Sequence, residues 1–564
     1  MTRLSRPLSS MQRRYDVIVV GSGYGGGVSA SRLARAGKRV AVLERGREIL
    51  TGEFPARFPD LKNDFQVRGR HVKMGPDTAL YDVRLGVDMH VLVGCGLGGG
   101  SLVNAGVSLR PEPRVFADEI WPGQIAQDGV LEEGFRRAER WLRPASDPRA
   151  AEMTKYAVLA TASHALGHET VAPRVAVSFA ANTNPAGIVQ PACTRCGDCC
   201  GGCNIGAKNT VALTYLPDAH RHGAHIFTEI AVRRVARAAG GGWHVHAVAT
   251  RGAVATEETA SFVLEAPVIV LAAGTLGSTE ILLRSRDGGL PLSDRLGERF
   301  SANGDIIAFG YGAKTPVNAV GVGHPPKVEG LEIGAAVSGQ LEIRDARNLA
   351  HEITVQEGVL PSALAPVLPV LFLPNGRLLG ALQSLISGVY RGPFASLQTF
   401  FAVSHDSASG RFELEDDRLA LAWPGAKDES VYARLDAILE ALVKESGGDY
   451  VKNPLAGTVM GHQPATAHPL GGCAMGRGRS DGVVNHKCQV FDGGARGSTA
   501  VHEGLYVIDG AVIPRSLGVN PLLTITALSE RAMIHFAADH ALRFDVGAAQ
   551  GKPVPATAPG AVAA

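Results

Sequence analysis

The stretch "YDVIVVGSGYGGGVSASRLARAGKRVAVLERG" (residues 15–46) decides the fold. It opens with a continuous β-branched run, as buried parallel strands do, and passes through a glycine turn into a helix from about Gly26 to Ala36. Gly37 ends this helix, and "RVAVLE" forms a second strand. A strand, a glycine turn, a helix and a strand in this order predict a doubly wound α/β unit.

The glycines of the first turn have the spacing Gly21-x-Gly23-x-x-Gly26. In this fingerprint Gly21 permits the tight turn, Gly23 lets the backbone approach a pyrophosphate, and Gly26 lets helix and strand pack closely. The helix N-terminus offers amide donors to the phosphate. Glu44, at the end of the second strand, stands where an acid binds ribose hydroxyls. The fingerprint predicts a dinucleotide site and does not distinguish NAD from FAD.

Similar segments recur along the chain. "APVIVLAAGTLGSTEILLRS" (266–285) is a strand, a turn and a helix, and "GLYVIDGAVIP" (504–514) is a strand and a turn before a long helix. We therefore expect a discontinuous cofactor domain (12–50, 85–145, 225–315 and 462–545) interleaved with a substrate domain (51–84, 146–224 and 316–461). The Ala/Pro/Gly-rich end (547–564) is expected to be a disordered tail.

Composition excludes some partners. The chain has 564 residues, with 56 Lys and Arg against 54 Asp and Glu, and this balance argues against a nucleic-acid surface. The N-terminal residues lack the apolar core of a signal peptide, and no stretch of about 18 uncharged apolar residues predicts a membrane span. We expect a cytoplasmic protein with at most peripheral contact at the inner membrane surface.

A second glycine-rich segment, "GCGLGGGSLVNAGVSLRP" (94–111), offers a backbone surface to a flat ring system or a phosphate. Its candidate cofactor-binding residues are Gly98, Gly99, Ser101 and Asn104. Gly274, in the turn of the 266–285 segment, is a further candidate.

Five motifs in order along residues 15–540 resemble glucose–methanol–choline (GMC) oxidoreductases, closest to the cholesterol-oxidase-like branch. They are the two glycine-rich segments above, "AAGTLGSTEILLRS", "HPLGGCAMG" and "GLYVIDGAVIPRSLGVNPLLTITALSERAM". The resemblance implies non-covalent FAD in a Rossmann-like domain and an inserted α+β substrate domain built on a large, mainly antiparallel sheet. It also implies oxidation of an alcohol to a ketone or aldehyde by hydride transfer to the flavin. Asp509 matches the acid whose neighbouring backbone meets the flavin in this family.

The resemblance also implies catalytic residues. His468 and Asn520 match the pair that flanks the substrate hydroxyl, and such a site needs a proton acceptor and a donor to the oxygen. A glutamate of the substrate domain is expected too; Glu357 matches that position better than Glu352. We expect the other histidines, such as His462, His486 and His502, to be structural.

The apolar segment 358–390 suggests a wall over a lipophilic alcohol such as a 3-hydroxysteroid, although ordinary core accounts for it equally well. A GMC dehydrogenase acting on a sugar or polyol is an alternative. A non-catalytic flavin electron-transfer protein is another.

Cysteines cluster in "CTRCGDCCGGC" (193–203). The spacing of Cys193, Cys196, Cys199 and Cys203 is that of the bacterial ferredoxin run and predicts a [4Fe-4S] or [3Fe-4S] cluster. A zinc ion held by four thiolates and a set of unligated thiols are the alternatives. A cluster would suit a dehydrogenase that passes electrons to an acceptor protein or quinone, whereas its absence favours oxygen as the acceptor.

Overall fold

The computed structural model describes residues 2–250, 261–371, 388–452 and 463–557. Its centre is a six-stranded sheet, here called the nucleotide sheet, whose first five strands are parallel and whose last edge strand is antiparallel. In spatial order its strands are His225–Phe227, Val40–Leu43, Val17–Val20, Val268–Leu271, Val501–Val507 and Gln489–Phe491. Val17–Val20 and Val40–Leu43 are buried along their whole length, as strands covered on both faces must be.

Three helices pack together beside this sheet: Tyr24–Arg35, Tyr215–Arg221 and Leu522–Asp539. A buried ion pair links the first and the last, with Arg32 Nε donating to Glu530 Oε2 at 3.0 Å and both side chains fully buried. The Arg32 guanidinium also lies 4.6 Å from the centre of the Trp141 ring. The predicted glycine turn, first helix and long C-terminal helix are therefore confirmed.

A second six-stranded sheet, here called the large antiparallel sheet, forms the wall of the inserted domain. Each neighbouring pair in it is antiparallel. In spatial order its strands are Asp449–Lys452, Ile306–Tyr311, Gln398–Val403, Ile353–Glu357, Gln340–Ile343 and Thr170–Val171. Helices Thr154–Ala165 and Ser430–Glu445 contact strands of this sheet. The predicted fold class, a Rossmann-like domain with an α+β domain on a large antiparallel sheet, is confirmed.

Smaller elements connect the two domains. A five-stranded sheet contains, in order, Ala465–Thr466, His90–Gly94, Tyr81–Leu85, Phe65–Gly69 and Lys73–Met74. The other strands are Ile230–Arg237, Trp243–Ala249 and Ser261–Ala266 in one meander, Arg411–Glu415 with Arg418–Ala422, and Asn182–Thr183 with Ile188–Gln190 and Val554–Pro555. Within the described ranges, the remaining α-helices are Pro113–Phe116, Gln124–Gln127, Val130–Leu142, Gly274–Asp287 and Leu368–Leu371.

Three expectations about domain boundaries need correction. Strand Ile306–Tyr311, placed in the cofactor domain, belongs to the large antiparallel sheet. Helix Tyr215–Arg221, placed in the substrate domain, packs on the first helix of the cofactor domain. The C-terminal residues are ordered up to 557, because Val554–Pro555 pairs in parallel with Ile188 and Val189 and Ala556 is buried. Residues 558–564 lie outside the described residues.

Among the described residues, no helix combines the length and the apolar character needed to cross a membrane.

Candidate active site

The predicted cofactor-binding segments meet where the parallel strands of the nucleotide sheet end, at the edge formed by their carboxyl ends. Four parallel strands end there, and they are followed by Gly21, Glu44, Gly274 and Asp509. Ligands of open α/β sheets bind at the carboxyl ends of the strands, because loops and helix N-termini converge there. The structure thus brings together residues that are almost 490 positions apart in the sequence (Gly21 to Asp509).

Each glycine of the fingerprint is needed for a different structural reason. Gly21 has φ of 92°, a left-handed conformation that favours glycine. A Cβ on Gly26 would lie 2.1 Å from the carbonyl oxygen of Gly21, so the helix can pack on the turn only without a side chain there. A Cβ on Gly23 would have no atom within 4 Å. Gly23 therefore faces open space at the helix N-terminus, where a phosphate would approach.

Glu44 directly follows strand Val40–Leu43, and three hydrogen bonds hold its carboxyl group there. Its Oε2 accepts from Ser22 Oγ at 2.5 Å and from Ser22 N at 3.1 Å, and its Oε1 accepts from Gly46 N at 2.7 Å. Burial raises the pKa of the Glu44 carboxyl above its usual range. These bonds fix the carboxyl group beside the turn that carries Gly23.

Asp509 joins two of the converging segments. Its Oδ2 accepts from Gly274 N at 2.9 Å and Ser278 Oγ at 2.5 Å, at the start of helix Gly274–Asp287. Its Oδ1 accepts from Ala511 N at 2.8 Å. Burial raises the pKa of Asp509 to about 6, and the three donors oppose this rise.

The second glycine-rich segment packs directly on the first. A Cβ on Gly99 would lie 2.8 Å from Gly23 Cα, and Ser101 Oγ donates to the carbonyl of Gly98 at 2.6 Å. Asn104 Nδ2 donates to Tyr24 OH at 2.8 Å, while its Oδ1 is buried without a hydrogen-bond partner. A buried carbonyl oxygen without a donor is costly, so this atom fits a site that a bound group completes.

The short segment 303–305 forms hydrogen bonds to both loops that carry predicted catalytic residues, the loop of His468 and the loop of Asn520. Asn303 Oδ1 accepts from Leu517 N at 2.8 Å, and its Nδ2 donates to the carbonyl of Val519 at 2.9 Å, so it fixes the loop that leads to Asn520. Two residues later, Asp305 Oδ2 accepts from Ala467 N at 2.8 Å and fixes the loop before His468. The structure therefore ties His468 and Asn520 to a common support.

His468 is partly exposed, with 19% of its side chain accessible. Its Nδ1 lies 3.2 Å from Asp305 Oδ2, in ion-pair range but without hydrogen-bond alignment. The following carbonyl, of Pro469, accepts from Thr275 Oγ1 at 2.7 Å, and Gly471 N donates to the carbonyl of Gly510. His468 thus adjoins the turns that carry Gly274 and Asp509.

Asn520 is buried, and its side-chain oxygen accepts from Gln356 Nε2 at 2.7 Å. Gln356 lies on strand Ile353–Glu357, where side chains alternate between the two faces of the sheet. The face that meets Asn520 therefore carries Gln356, and Glu357 points to the opposite face.

The structure therefore does not bring Glu357, which was predicted to belong to the catalytic group, together with Asn520. Glu357 forms a buried ion pair with Lys155, whose Nζ lies 2.6 Å from Oε2, and its Oε1 accepts from Ser338 N and Gly339 N at 2.6 Å each. Burial raises the pKa of Glu357, and Lys155 and the two amides oppose this rise. The alternative, Glu352, is buried beside Arg114.

Several residues of the site escaped prediction from the sequence. Asn303 has φ of 58°, and the Asn-Gly step at 303–304 could have signalled this turn. Gln356 gave a weaker signal, as a polar residue that directly follows the β-branched run 353–355. His405 is buried against Gly518, and a Cβ added to Gly518 would lie 2.3 Å from the Nε2 atom of His405. Burial lowers the pKa of His405 to about 4. Nothing in the local sequence pointed to this contact.

The cysteine loop does not support the predicted iron–sulfur cluster. Its five cysteines are free thiols beside a small apolar cluster that includes Val107, Val175 and Ile205. Within the described ranges, no three of their sulfur atoms lie within 4.8 Å of one another, which also argues against zinc. The residues proposed as ligands were Cys193, Cys196, Cys199 and Cys203. Burial raises the pKa of the first three thiols, which favours the neutral form.

Other interactions fix this loop in place of a metal. Arg195 forms a buried ion pair with Asp147 at 2.7 Å, and Asp198 accepts from Ser362 N at 2.6 Å. The Nζ of buried Lys208 donates to the carbonyls of Leu102, Asn104 and Cys199. The arrangement fits the alternative of unligated thiols in a loop that polar contacts hold beside the second glycine-rich segment.

The described residues bring together one other group of possible metal ligands. Asp128, His486 and His535 have ligand atoms within 4.8 Å of one another. Arg531 Nη2 lies 3.1 Å from His486 Nδ1 and also donates to Asp128 Oδ2, so a guanidinium already binds two of the three residues. The positive charge of the guanidinium opposes a cation there.

Comparison with known proteins agrees with this geometry. The two models of the GMC oxidoreductase family match residues 15–302 and 422–529. The chain is 27% identical to a cholesterol oxidase of Mycobacterium tuberculosis, covering 93% of this chain and 91% of that protein. It is 27% identical to a cholesterol oxidase of Acinetobacter baumannii (94% and 95%) and 25% identical to the long-chain-alcohol oxidase FAO4B of Arabidopsis thaliana (91% and 66%).

Two solved structures have a similar fold. Pyridoxine 4-oxidase from Mesorbium loti matches with a TM-score of 0.58 and 18% identity, covering 93% of this chain and 99% of that one. A fungal aryl-alcohol oxidase matches with a TM-score of 0.60 and 14% identity, covering 94% and 100%. On the match of both family models, over most of its length, the chain belongs to the GMC oxidoreductases, a family of FAD-binding enzymes.

Proposed function

We propose that this protein oxidises a lipophilic alcohol to a carbonyl compound with FAD as the hydride acceptor. The observation that carries the proposal is that one segment, 303–305, forms hydrogen bonds to both the loop of His468 and the loop of Asn520. Asn303 and Asp305 fix the neighbourhoods of Asn520 and His468, and His468 adjoins the turns at the edge of the nucleotide sheet.

The residues at the sheet edge fit FAD. Gly23 would face the pyrophosphate, Glu44 would bind ribose hydroxyls, and Gly274 and Asp509 would place backbone amides against the rest of the cofactor. The unpaired Oδ1 of Asn104 would gain a donor from the bound group. When bound, FAD supplies the acceptor for the hydride that leaves the alcohol carbon.

His468 is proposed to accept the hydroxyl proton. Asp305 lies beside Nδ1 and favours the tautomer that carries a proton there, which leaves Nε2 as the basic nitrogen. A carboxylate in this position also stabilises the imidazolium that forms when Nε2 takes the proton. Asn520 is proposed to donate from Nδ2 to the substrate oxygen, because its Oδ1 is already bonded to Gln356.

The proposed substrate is a secondary alcohol such as a 3-hydroxysteroid. Two relatives are named cholesterol oxidases, and another is named a long-chain-alcohol oxidase. In the predicted apolar segment, Val359, Leu360 and Leu368 pack in apolar clusters, whereas residues 372–387 lie outside the described residues. Oxygen is the proposed electron acceptor, since the cysteine loop does not support a cluster and the relatives are named oxidases.

A substrate panel tests this proposal. The FAD-loaded protein would be mixed anaerobically with a 3-hydroxysteroid, a long-chain primary alcohol, a polyol and a sugar, and loss of flavin absorbance would be followed. We expect the steroid or the long-chain alcohol to reduce the flavin fastest. Reduction by the polyol or sugar alone would support the sugar dehydrogenase alternative, and no reduction by any alcohol would support a non-catalytic flavoprotein. Reoxidation by oxygen and by an artificial acceptor would then be compared.

A further inference from the structure

A chain of hydrogen-bonded side chains runs from the protein surface to Asn520. Gln340 and Gln356 lie opposite each other on neighbouring strands of the large antiparallel sheet. Gln340 Nε2 donates to Glu342 Oε1 at 2.8 Å, Gln356 Nε2 donates to Gln340 Oε1 at 3.3 Å, and Gln356 Nε2 also donates to Asn520 Oδ1 at 2.7 Å. The two glutamines are 2% and 1% exposed, and Asn520 is 7% exposed, so water competes little for these bonds.

The outer end of this chain gives it a direction. An ionised carboxylate only accepts hydrogen bonds, and the guanidinium of Arg344 lies 2.8 Å from Glu342, on its other oxygen. Gln340 must therefore turn its NH2 group towards Glu342 and its oxygen towards Gln356. Gln356 can meet that oxygen only with its own NH2 group, whose second hydrogen reaches Asn520 Oδ1.

We propose that Gln356 is a positioning residue that fixes the orientation of the Asn520 amide. With Oδ1 bonded to Gln356, the Nδ2 donor of Asn520 faces away from the sheet, as the donor to an alcohol oxygen must. The reversed amide would present an acceptor to that oxygen instead. This inference rests on the proposed function, because it assigns a consequence to the orientation of a residue placed in that site.

Gln356→Glu tests the inference, because an ionised glutamate can only accept and would reverse the Asn520 amide. A hydrogen bond to a charged group favours the reversed form enough to lower the rate of flavin reduction by about 10- to 100-fold. At lower pH the protonated carboxyl group can donate again, so the rate should return towards that of the parent protein. Gln356→Met removes the donor without imposing a reversal, so its loss should not change with pH and should be smaller than the loss of Gln356→Glu at high pH.

The measurement is the pH profile of anaerobic flavin reduction, divided by the profile of the parent protein. This ratio removes every pH effect that the two proteins share. Of the other nearby groups, His405 against Gly518 has a pKa lowered to about 4 by burial, and the ion pair of Arg344 with Glu342 is common to both proteins. Gln398→Glu is the matched control: the same change at a buried position of the same sheet, whose amide donates to Ser446. Its ratio should not depend on pH.

The results separate this inference from the proposed function. If Asn520→Ala slows flavin reduction but the Gln356→Glu ratio is flat with pH, the inference is wrong and the proposed function stands. If Asn520→Ala reduces its flavin at the normal rate, the proposed role of Asn520 is wrong and the inference falls with it. Should Gln356→Glu fail to fold or to bind FAD, Glu342→Gln at the surface replaces it. That variant removes the fixed acceptor and should lower kcat a few-fold with KM unchanged; an unchanged kcat would overturn the inference.

Discussion

Breaking the buried pair of Lys155 and Glu357 should lower stability and leave flavin reduction intact. The two side chains are 1% and 4% exposed. Removing one partner of a buried ion pair leaves an uncompensated charge and costs about 3–5 kcal/mol. An unfolding entropy of about 2.1 cal/mol/K per residue, over 564 residues, gives about 1.2 kcal/mol/K for cooperative unfolding. The expected fall in the thermal midpoint is therefore about 3–4 °C for Lys155→Met or for Glu357→Gln.

The pH dependence of this loss follows from the same contacts. Burial raises the pKa of Glu357, and Lys155→Met removes the cation that opposes this rise. An acid with a raised folded pKa contributes stability at low pH and loses it as pH rises through that pKa. The deficit of Lys155→Met should therefore be larger at pH 8 than at pH 5, and the double variant Lys155→Met/Glu357→Gln should recover part of it. Differential scanning calorimetry measures the midpoints. A midpoint within about 0.5 °C of the parent protein, or a tenfold slower flavin reduction in the folded, FAD-loaded variants, would refute this reasoning.

Three further predictions concern the cofactor and the catalytic loops. Gly23→Ala should fold normally but bind FAD more weakly, because its Cβ would face the open space where the phosphate would approach. Gly26→Ala should fold poorly, because its Cβ would meet the carbonyl oxygen of Gly21. Thermal midpoints and FAD titrations distinguish the two variants. His468→Gln should reduce its flavin about 10²-fold more slowly with FAD content unchanged, as stopped-flow absorbance would show, and a normal rate would remove it from the site. Lys208→Met should lower the thermal midpoint, because three buried carbonyls lose their donor; an unchanged midpoint would argue against these bonds.

The fold could be predicted from the sequence because its signals are local. The β-branched strand, the spacing of Gly21, Gly23 and Gly26, and the alternation of apolar segments each specify a local structure. The convergence of Glu44 and Asp509 then follows from the rule that parallel strands share their carboxyl ends.

The catalytic surroundings were harder to predict because they depend on contacts between distant segments. Strand alternation decides that Gln356 meets Asn520 and that Glu357 meets Lys155, and a shift of one residue exchanges the two faces. The support from Asn303 and Asp305 is likewise a tertiary contact, made across more than 160 residues. The cysteine spacing failed as a predictor because spacing alone does not specify where the sulfur atoms point; one ion pair and several hydrogen bonds hold that loop instead.

Hydride transfer from the alcohol carbon to FAD is the central claim, and an isotope effect on anaerobic flavin reduction tests it most directly. The FAD-loaded protein would be mixed with a lipophilic alcohol that carries either hydrogen or deuterium at the carbinol carbon. We predict that flavin absorbance is lost in both reactions and that the deuterated alcohol reacts more slowly. Flavin that stays oxidised with either alcohol, or a protein that binds no FAD, would contradict the account.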